Sequence, residues 1–572
     1  MALTLLKAWG GKFRDWGGLF YSGKHPSAGV IGDGTTDDRA ALSALDTAAL
    51  VSGAMAVLGP RDSAAATIKV ATDITIQSPL KIYPGAKLKP SSGKVITLNG
   101  PVHAGLYQIF DLSAGGTVVF GDHVIQEVPP EWWGAKADDS TDNATPWSQW
   151  AAALGSGSGQ PAKSSGVLAR GIYQLGDTFH VEDLRGLKIK GRGPWVTRIK
   201  WVGDDSSDAI LLESCMDCTL GGFSIENASG VDLACALRLI QGSGSSYASS
   251  RNTVRRVGVG GVGDLLVDAF IVGGAGTDAN NDFAIFERCT AEDYTGAGFG
   301  VGSSQSFDVT CIDCYARASG TATAAAGMLH AAGNYRWIRG FMGNNAVDFK
   351  STGDSNGGAI VIEGLNSEGA ERLLQTAGPS GAYFSVSIRD TRWASDNLHA
   401  DGKAIIFQFP GPLTIEGGKI GTSTAKAMKF EYNPGTDEDF GQFDLRNVTV
   451  VSSATTMAGL FNAYKPTSWD FRLEHASDIV RMRDRWAVTL TIDIPSLTAG
   501  TTTQTTHTVD GVETYDCVKV VPKGSLDAGV VVAWARGDTT DTIRICWGNI
   551  TGSPIDPSSQ DFDIHVEKKR HT

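Results

Sequence analysis

Short stretches of alternating apolar and polar residues recur along the middle of the chain at a nearly constant interval. Five of them align, at residues 286–292, 311–317, 337–343, 361–367 and 387–393. Equivalent positions are 25, 26, 24 and 26 residues apart, at Cys289, Cys314, Gly340, Gly364 and Asp390. Alternation predicts β-strands with one polar face, and a repeat of about 20 to 50 residues is typical of a solenoid. The pattern therefore predicts coils of a parallel β-helix, each stacked about 4.8 Å above the last.

The same pattern is looser before residue 286. Equivalent positions at Gly191, Gly222 and Val257 are separated by longer intervals. These coils are expected to carry longer loops, at residues 242–251 and 273–281.

Two columns of side chains follow from this alignment. The residue before each equivalent position alternates in charge, through Arg288, Asp313, Arg339, Glu363 and Arg389. Opposite charges on neighbouring strands attract modestly, so this column is interpreted as a surface ladder that fixes the register. The third residue after each position is more varied, through Glu292, Arg317, Gly343, Ser367 and Trp393. A mixture of acid, cation and aromatic ring suits a saccharide groove.

One segment occurs twice. GVIGDGTTDDRA begins at Gly29 and GAKADDSTDNAT begins at Gly134, so the copies align without gaps at an offset of 105 residues. A short helical pattern follows each copy, over residues 40–50 and 146–154. Asp and Asn accept hydrogen bonds from the first free N–H groups of a helix. We therefore expect a turn and a capped helix in both places, and no metal, because the EF-hand spacing is absent.

Composition excludes several classes of protein. Of the 572 residues, 71 are glycine and only 19% are charged, which is typical of a β-rich chain with many tight turns. The net charge of −13 disfavours nucleic-acid binding. No apolar run reaches the roughly 18 residues of a membrane span, and residues 1–10 lack a signal-peptide cleavage pattern. We therefore expect no membrane insertion, and synthesis in a cytoplasm without export by the usual route.

The eight cysteines include two C-x-x-C pairs, at Cys215 and Cys218 and at Cys311 and Cys314. Two such pairs are a pattern of zinc sites. Here they are far apart, and the other cysteines occur singly at strand positions. We expect buried apolar cysteines and no metal.

The duplicated segment resembles the start of the β-helix in phage tailspikes. GDGTTDD, from Gly32, is similar to the segment that closes a pectate-lyase-like β-helix with a short helix. PPEWWGAKADDSTDNATPW, from Pro129, resembles the version that opens the main β-helix, and GVLARGIYQLGDTFHVEDLRGLKIKGRG, from Gly166, resembles its first coils. The resemblance covers most of the chain. It implies an all-β fold: a right-handed parallel β-helix of the pectate-lyase type, with a small N-terminal β region, short capping helices and a C-terminal β-sandwich.

Four segments are expected. Residues 1–25, rich in aromatic side chains, are interpreted as a docking segment for the virion or an adaptor. Residues 26–128 form a small β domain with the first cap motif, and residues 129–484 form the catalytic β-helix. Residues 485–572 alternate apolar and polar residues between turns, which predicts a β-sandwich. This part resembles the small C-terminal domains of phage spikes, which implies that it binds carbohydrate or joins a trimer.

The function that the resemblance implies is that of a tailspike depolymerase on the phage virion tail, made in the host cytoplasm and acting outside the target cell. It binds and cleaves bacterial capsular polysaccharide, with O-antigen as the second choice, for host recognition and infection. It is a homotrimer without a cofactor, attached to the phage tail or an adaptor protein through its N-terminus. An endo-acting glycosidase is favoured. The alternatives are a non-catalytic receptor-binding fibre and a polysaccharide lyase acting by β-elimination.

Glycosidic hydrolysis needs two carboxyl groups, about 5 Å apart for retention and about 6.5–9.5 Å apart for inversion. Positions one or two coils apart in a β-helix meet these distances. The richest acidic region surrounds Glu287, and the predicted catalytic residues there are Glu292, Asp293, Asp282 and Asp308. The predicted substrate-binding residues are Arg317, Tyr294, Trp337, Trp393 and Asn344. A lyase would instead use Tyr294, His330, Arg317 or Lys350 as base and cation.

Overall fold

The structure is a computed structural model of the chain. It describes residues 20–22, 29–60, 65–121, 127–204, 206–242, 245, 247–273, 280–302, 306, 308–320, 323–331, 333–352, 358–376, 384–409, 411–422, 427–432, 442–453, 460–463, 468–475, 478–483 and 485–568. The chain divides into two compact units, Met1–Asn334 and Tyr335–Thr572. Most of the expected docking segment, residues 1–25, lies outside the described residues.

The first unit begins with three small parallel sheets. Their strands are Phe20–Ser22, Met55–Leu58, Leu80–Ile82 and Val102–His103; Asp33–Asp37, Ala66–Val70 and Ala86–Pro90; and Ile74–Ile76, Val95–Leu98 and Thr117–Phe120. Buried and partly exposed residues alternate along most of these strands, as in Ala66–Val70. The expected small N-terminal β region is therefore itself a short stack of parallel coils.

Both copies of the duplicated segment form a turn followed by a helix, as expected. The helices are Arg39–Ser52 and Ala144–Leu154, and a 3₁₀-helix at Pro130–Trp133 precedes the second copy. The Asp33 carboxylate accepts hydrogen bonds from the backbone N–H groups of Thr35 and Thr36, and Asp138 makes the equivalent bonds with Ser140 and Thr141.

Asp38 and Asn143 directly precede the two helices but do not cap them with their side chains. Asp38 accepts from the N–H groups of Ile31 and Gly32, in the preceding loop, and Asn143 likewise binds Lys136. The first helical N–H group instead donates to the aspartate two residues earlier, from Arg39 to Asp37 and from Ala144 to Asp142.

Parallel coils fill the rest of the first unit. The strands are Glu127–Val128, Asp138–Asp142, Ser165–Val167, Gly171–Leu175, Phe179–Glu182, Lys188–Lys190, Thr197–Trp201, Asp208–Glu213, Thr219–Asn227, Leu233–Ile240, Thr253–Gly260, Leu266–Val272, Ile285–Glu287, Thr290–Tyr294, Ala297–Val301, Val309–Ala318 and Ala326–His330, and Gly333–Gly343 crosses into the second unit. Phe286 pairs with Cys311 and Glu292 with Arg317, which confirms the predicted register of these two coils.

The interior of these coils is apolar. Phe270, Phe286 and Phe299 pack with ring centroids 5.0 to 5.6 Å apart. The cysteines of both C-x-x-C pairs are buried and form no disulfide within the described part of the chain, so they occupy core positions.

The second unit continues with parallel coils. Its strands are Val347–Ser351, Gly358–Glu363, Asn366–Glu368, Arg372–Thr376, Phe384–Arg389, Arg392–Ala394, Lys403–Phe407, Pro412–Glu416, Lys419–Gly421, Lys429–Tyr432, Gln442–Val451, Phe461–Ala463 and Ser468–His475, with an antiparallel strand at Asp478–Arg483. The fold class is confirmed as an all-β chain dominated by a parallel β-helix.

The predicted register is wrong by one residue at one step of this unit. Phe341 pairs with Asn366, so Arg339 lies next to Gly364 and not next to Glu363. From Glu363 onward the ladder of alternating charge is confirmed and extends further, because Glu363 pairs with Arg389, Arg389 with Glu416, and Glu416 with Arg446.

The C-terminal part is a six-stranded antiparallel sheet. Its strands are Arg485–Ile492, Thr502–Thr508, Cys517–Pro522, Val530–Thr539, Thr542–Asn549 and Gln560–Glu567. Trp547 and Phe562 pack in its core, with ring centroids 5.2 Å apart. Within the described residues, no helix is long and apolar enough to span a membrane.

Candidate functional site

One outer face of the first unit carries an unbroken column of paired positions. The pairing runs from Gln174 through Lys200, Glu226, Gly260 and Glu292 to Arg317. The residues one position earlier form the buried interior column: Tyr173, Ile199, Ile225, Val259, Ala291 and Ala316. Side chains alternate across a strand, so the column from Gln174 to Arg317 points outward. We call it the acidic column, because it contains Glu226 and Glu292.

A second outward column runs beside the acidic column, two residues earlier on each strand. Its members are Ile172, Arg198, Ser224, Gly258, Thr290 and Tyr315. Two residues along a strand span about 6.6 Å. Together the columns form a predominantly polar face six strands long.

Trp195 lies across the middle of this face. Its indole is 48% exposed, and its backbone N–H donates to Ser224 Oγ at 3.3 Å. A Cβ atom placed on Gly258 or Gly260 would come within 3.2 Å or 3.0 Å of the indole carbons, closer than the usual 3.5–4.0 Å or so between carbon atoms. The ring lies on this strand because both positions are glycine.

The two carboxylates of the acidic column flank the indole. Glu226 and Glu292 each pair with Gly260, from the coils on either side of it. Two coils correspond to about 9–10 Å between backbones, close to the upper end of the separation used for inversion. The indole covers the glycine between the two glutamates, so the arrangement fits an acid and a base on either side of a sugar stacked on the ring.

The environments of the two carboxylates differ. Glu226 is buried, and its Oε1 accepts a hydrogen bond from Arg198 at 2.5 Å. Glu292 is half-buried, and its carboxylate has no hydrogen-bond or ion-pair partner within the described part of the chain. One group is thus held in place, while the other is available to a ligand.

The structure brings together only part of the predicted catalytic set. Asp293 is exposed and lies directly after Glu292, at a corner of the coil where the backbone takes the left-handed conformation, with φ of 54°. We call such a position a left-handed corner. Asp308 occupies another corner, where Asn334 donates to it at 3.2 Å. Asp282 lies in the loop before Ile285–Glu287, and its carbonyl accepts from Arg251 N. None of these three belongs to the acidic column.

Three predicted substrate-binding residues are corrected. Tyr294, Trp337 and Trp393 are at most 1% exposed, so their rings belong to the apolar interior and offer no face to a sugar. Asn344 is partly exposed at a left-handed corner of the second unit. Arg317 is exposed and directly follows Glu292 in the acidic column, as predicted.

Sequence reasoning missed Glu226, Arg198 and Trp195. The signal that finds Glu226 is the left-handed corner, which Gly222, Arg256, Arg288 and Asp313 occupy with φ between 52° and 72°. Counting four residues from each corner gives Glu226, Gly260, Glu292 and Arg317. The equivalent positions of the early coils combine Gly222, which is itself a corner, with Val257, which follows one, so counting from them does not bring Glu226 into line with Gly260 and Glu292.

Among the described residues, one group offers the ligand types of a metal site. His180, Glu182 and Glu213 place ligand atoms within 4.8 Å of one another, and His180 Nε2 lies 2.9 Å from Glu213 Oε2. These residues are largely exposed and lie on different strands from the acidic column.

Comparison with known proteins gives structural neighbours only. No protein-family model and none of the curated proteins matches the chain. Among solved structures, it is similar to the tailspike protein of E. coli bacteriophage HK620 in complex with a pentasaccharide, at 13% identity over 95% of this chain and 92% of that chain, with a TM-score of 0.38. It is also similar to the gp42 tailspike of Acinetobacter phage vb_AbaP_AS12, at 12% identity over 78% and 83%, with a TM-score of 0.42. The chain is thus similar to phage tailspikes, and its fold is established by the strand register alone.

Proposed function

We propose that this chain is a phage tailspike depolymerase that binds and hydrolyses a bacterial surface polysaccharide, with capsule preferred over O-antigen. The observation that carries the proposal is the acidic column, in which Glu226 and Glu292 flank an exposed indole. The duplicated cap motif and its resemblance to tailspikes support the setting: a homotrimer on the virion tail, attached through its N-terminal end.

The length of the face favours cleavage within a chain. Six paired positions extend over about 24 Å, and polar side chains occupy most of both outward columns. A polymer lying along the coils passes Trp195 near the middle of this length. Aromatic rings offer an apolar face at low entropic cost, so a sugar ring stacked on Trp195 lies between the two carboxylates.

The different environments of the two carboxylates support different roles for them. Glu292, which has no protein partner in the described chain, donates a proton to the glycosidic oxygen as the bond to the anomeric carbon breaks. Glu226, oriented by Arg198, takes a proton from a water molecule whose oxygen attacks that carbon from the opposite side. This is the inverting arrangement of paired carboxylates, and it needs no cofactor.

The test uses purified protein on a panel of capsular and O-antigen polysaccharides, with release of reducing ends as the readout. On any polysaccharide that the wild type cleaves, we expect Glu292→Gln and Glu226→Gln each to lower kcat at least 100-fold, because acid–base catalysis contributes about 10²–10⁴-fold. Binding of the polysaccharide is expected to persist in Glu292→Gln. The matched control is Asp204→Asn, an exposed carboxylate outside both columns.

Two outcomes would contradict the proposal. Binding without chain shortening by the wild type would identify a non-catalytic receptor-binding fibre. Loss of activity in Asp282→Asn or Asp308→Asn, with Glu226→Gln fully active, would show that the catalytic carboxylates are those of Asp282 or Asp308 and not those of the acidic column.

A further inference from the structure

Two arginines occupy left-handed corners on neighbouring coils, close in sequence to the glycines beneath the Trp195 indole. Arg255 pairs with Glu287 and Gly258 with Thr290, so Arg256 and Arg288 lie next to each other on adjacent coils. Both are exposed, and both have the left-handed backbone conformation, with φ of 52° and 53°. We call these two residues the arginine edge.

The arginine edge forms no ion pair of its own among the described residues, although Asp313 follows Arg288 one coil further along the same column. Arg255 Nε lies 3.1 Å from Glu287 Oε2, whereas Arg256 and Arg288 form no ion pair or hydrogen bond through their side chains within the described chain. Like charges on directly adjacent strands repel, and side chains disfavour the left-handed region. An anion bound between the two guanidinium groups would remove the repulsion.

The position of the arginine edge connects it to the proposed active face. Arg256 and Arg288 lie two residues before Gly258 and Thr290 in the chain, at the corners that precede these two residues of the face. Arg317, whose side chain also has no described partner, lies one coil beyond Glu292. Cations thus border the face beside the Trp195 indole and at the end of the acidic column.

We propose that the polysaccharide bound on this face is acidic, and that Arg256 and Arg288 together bind a carboxylate on a sugar next to the one stacked on Trp195. This inference rests on the proposed function and names its substrate class. Guanidinium groups bind carboxylates through paired hydrogen bonds. The net charge of −13 repels a polyanion at long range, so an acidic substrate needs such a local cationic site.

The experiment compares two forms of one polymer. The probes are a purified uronate-containing capsular polysaccharide and the same preparation after its carboxyl groups have been reduced to alcohols. The test variant is Arg256→Gln with Arg288→Gln. The matched control is Arg185→Gln with Arg251→Gln, which removes the same charge from exposed arginines whose partners are Tyr247 and Asp217.

We expect the test variant to bind the acidic polymer at least tenfold more weakly than the wild type, with a smaller loss of affinity as salt is raised. Binding of the reduced polymer should change less than twofold. The control should match the wild type on both probes. Arg256→Lys with Arg288→Lys should recover only part of the affinity, because an ammonium group cannot form the paired hydrogen bonds.

Two results would overturn the inference. One is equal affinity of the wild type for the acidic and reduced polymers, and the other is equal weakening by the test variant and the control. In both cases the proposed function stands, because the protein still binds and cleaves a polysaccharide. Failure of the wild type to bind any polysaccharide of the panel would instead defeat the proposed function itself.

Discussion

At the scale of single residues, the candidate site depends on two glycines, which have no side chain. Gly258 and Gly260 leave room for the Trp195 indole, which a Cβ at either position would crowd. The backbone of Trp195 is itself left-handed, with φ of 64°, and its N–H group is held by Ser224. An exposed aromatic ring fixed in this way is pre-organised, so little conformational entropy is lost when a sugar stacks on it.

Replacing Trp195 by alanine tests whether a sugar of the substrate stacks on the indole. Aromatic packing contributes about 0.5–1.5 kcal/mol beyond the area that it buries, so we expect KM for the polysaccharide to rise about three- to tenfold. The fold should be unaffected, because the ring is half exposed. Steady-state kinetics measure the change in KM, and circular dichroism checks the fold. An unchanged KM would show that the substrate does not contact the indole.

At the scale of the strands, the sequence predicts the elements better than the direction in which side chains point. The five aligned stretches consist mostly of strand residues, and Cys289 and Cys314 lie one coil apart, as their spacing of 25 residues predicts. Cys289, Cys314 and Gly340, however, follow a left-handed corner, whereas Gly364 and Asp390 are corners themselves. A shift of one residue exchanges the two faces of a strand. Trp393 was therefore assigned to the groove but lies in the core.

Polar residues are also stacked inside the coils of the second unit. Asp348 is fully buried, accepts hydrogen bonds from Ser367 Oγ and from Asn345 Nδ2, and contacts the Trp393 side chain. Burial raises the pKa of this carboxyl from 3.8 to about 7, although the hydrogen bonds oppose the shift. The folded chain therefore holds a proton on Asp348 that the unfolded chain has released above about pH 4.

Stability is expected to depend on pH through this carboxyl. Between about pH 4 and pH 7 the folded state binds more protons than the unfolded state, so the free energy of unfolding falls as pH rises. The contribution is on the order of a few kcal/mol. Denaturant unfolding at pH 5 and pH 7.5 measures it. In Asp348→Asn the difference between the two pH values should be smaller than in the wild type, and an unaltered difference would assign the pH dependence to other groups.

At the scale of the whole molecule, the stacked coils determine both the length of the candidate site and the spacing of its side chains. Each coil adds one row of outward side chains at a fixed spacing, so carboxylates far apart in sequence come to a defined separation. Glu226 and Glu292 are 66 positions apart in the chain but only two coils apart in the column. The resemblance of the duplicated segment predicts the β-helix, but it contains no signature for this pair. The loop lengths of the early coils also vary, so only the observed register aligns Glu226 with Glu292.

The stereochemistry of cleavage tests the central claim most directly. Proton NMR during hydrolysis of a cleaved polysaccharide shows the anomeric configuration of the new reducing end before it equilibrates. The separation of Glu226 and Glu292 by two coils predicts inversion of the configuration at the cleaved bond. Retention of configuration, or an unsaturated sugar at the new non-reducing end, would contradict the account.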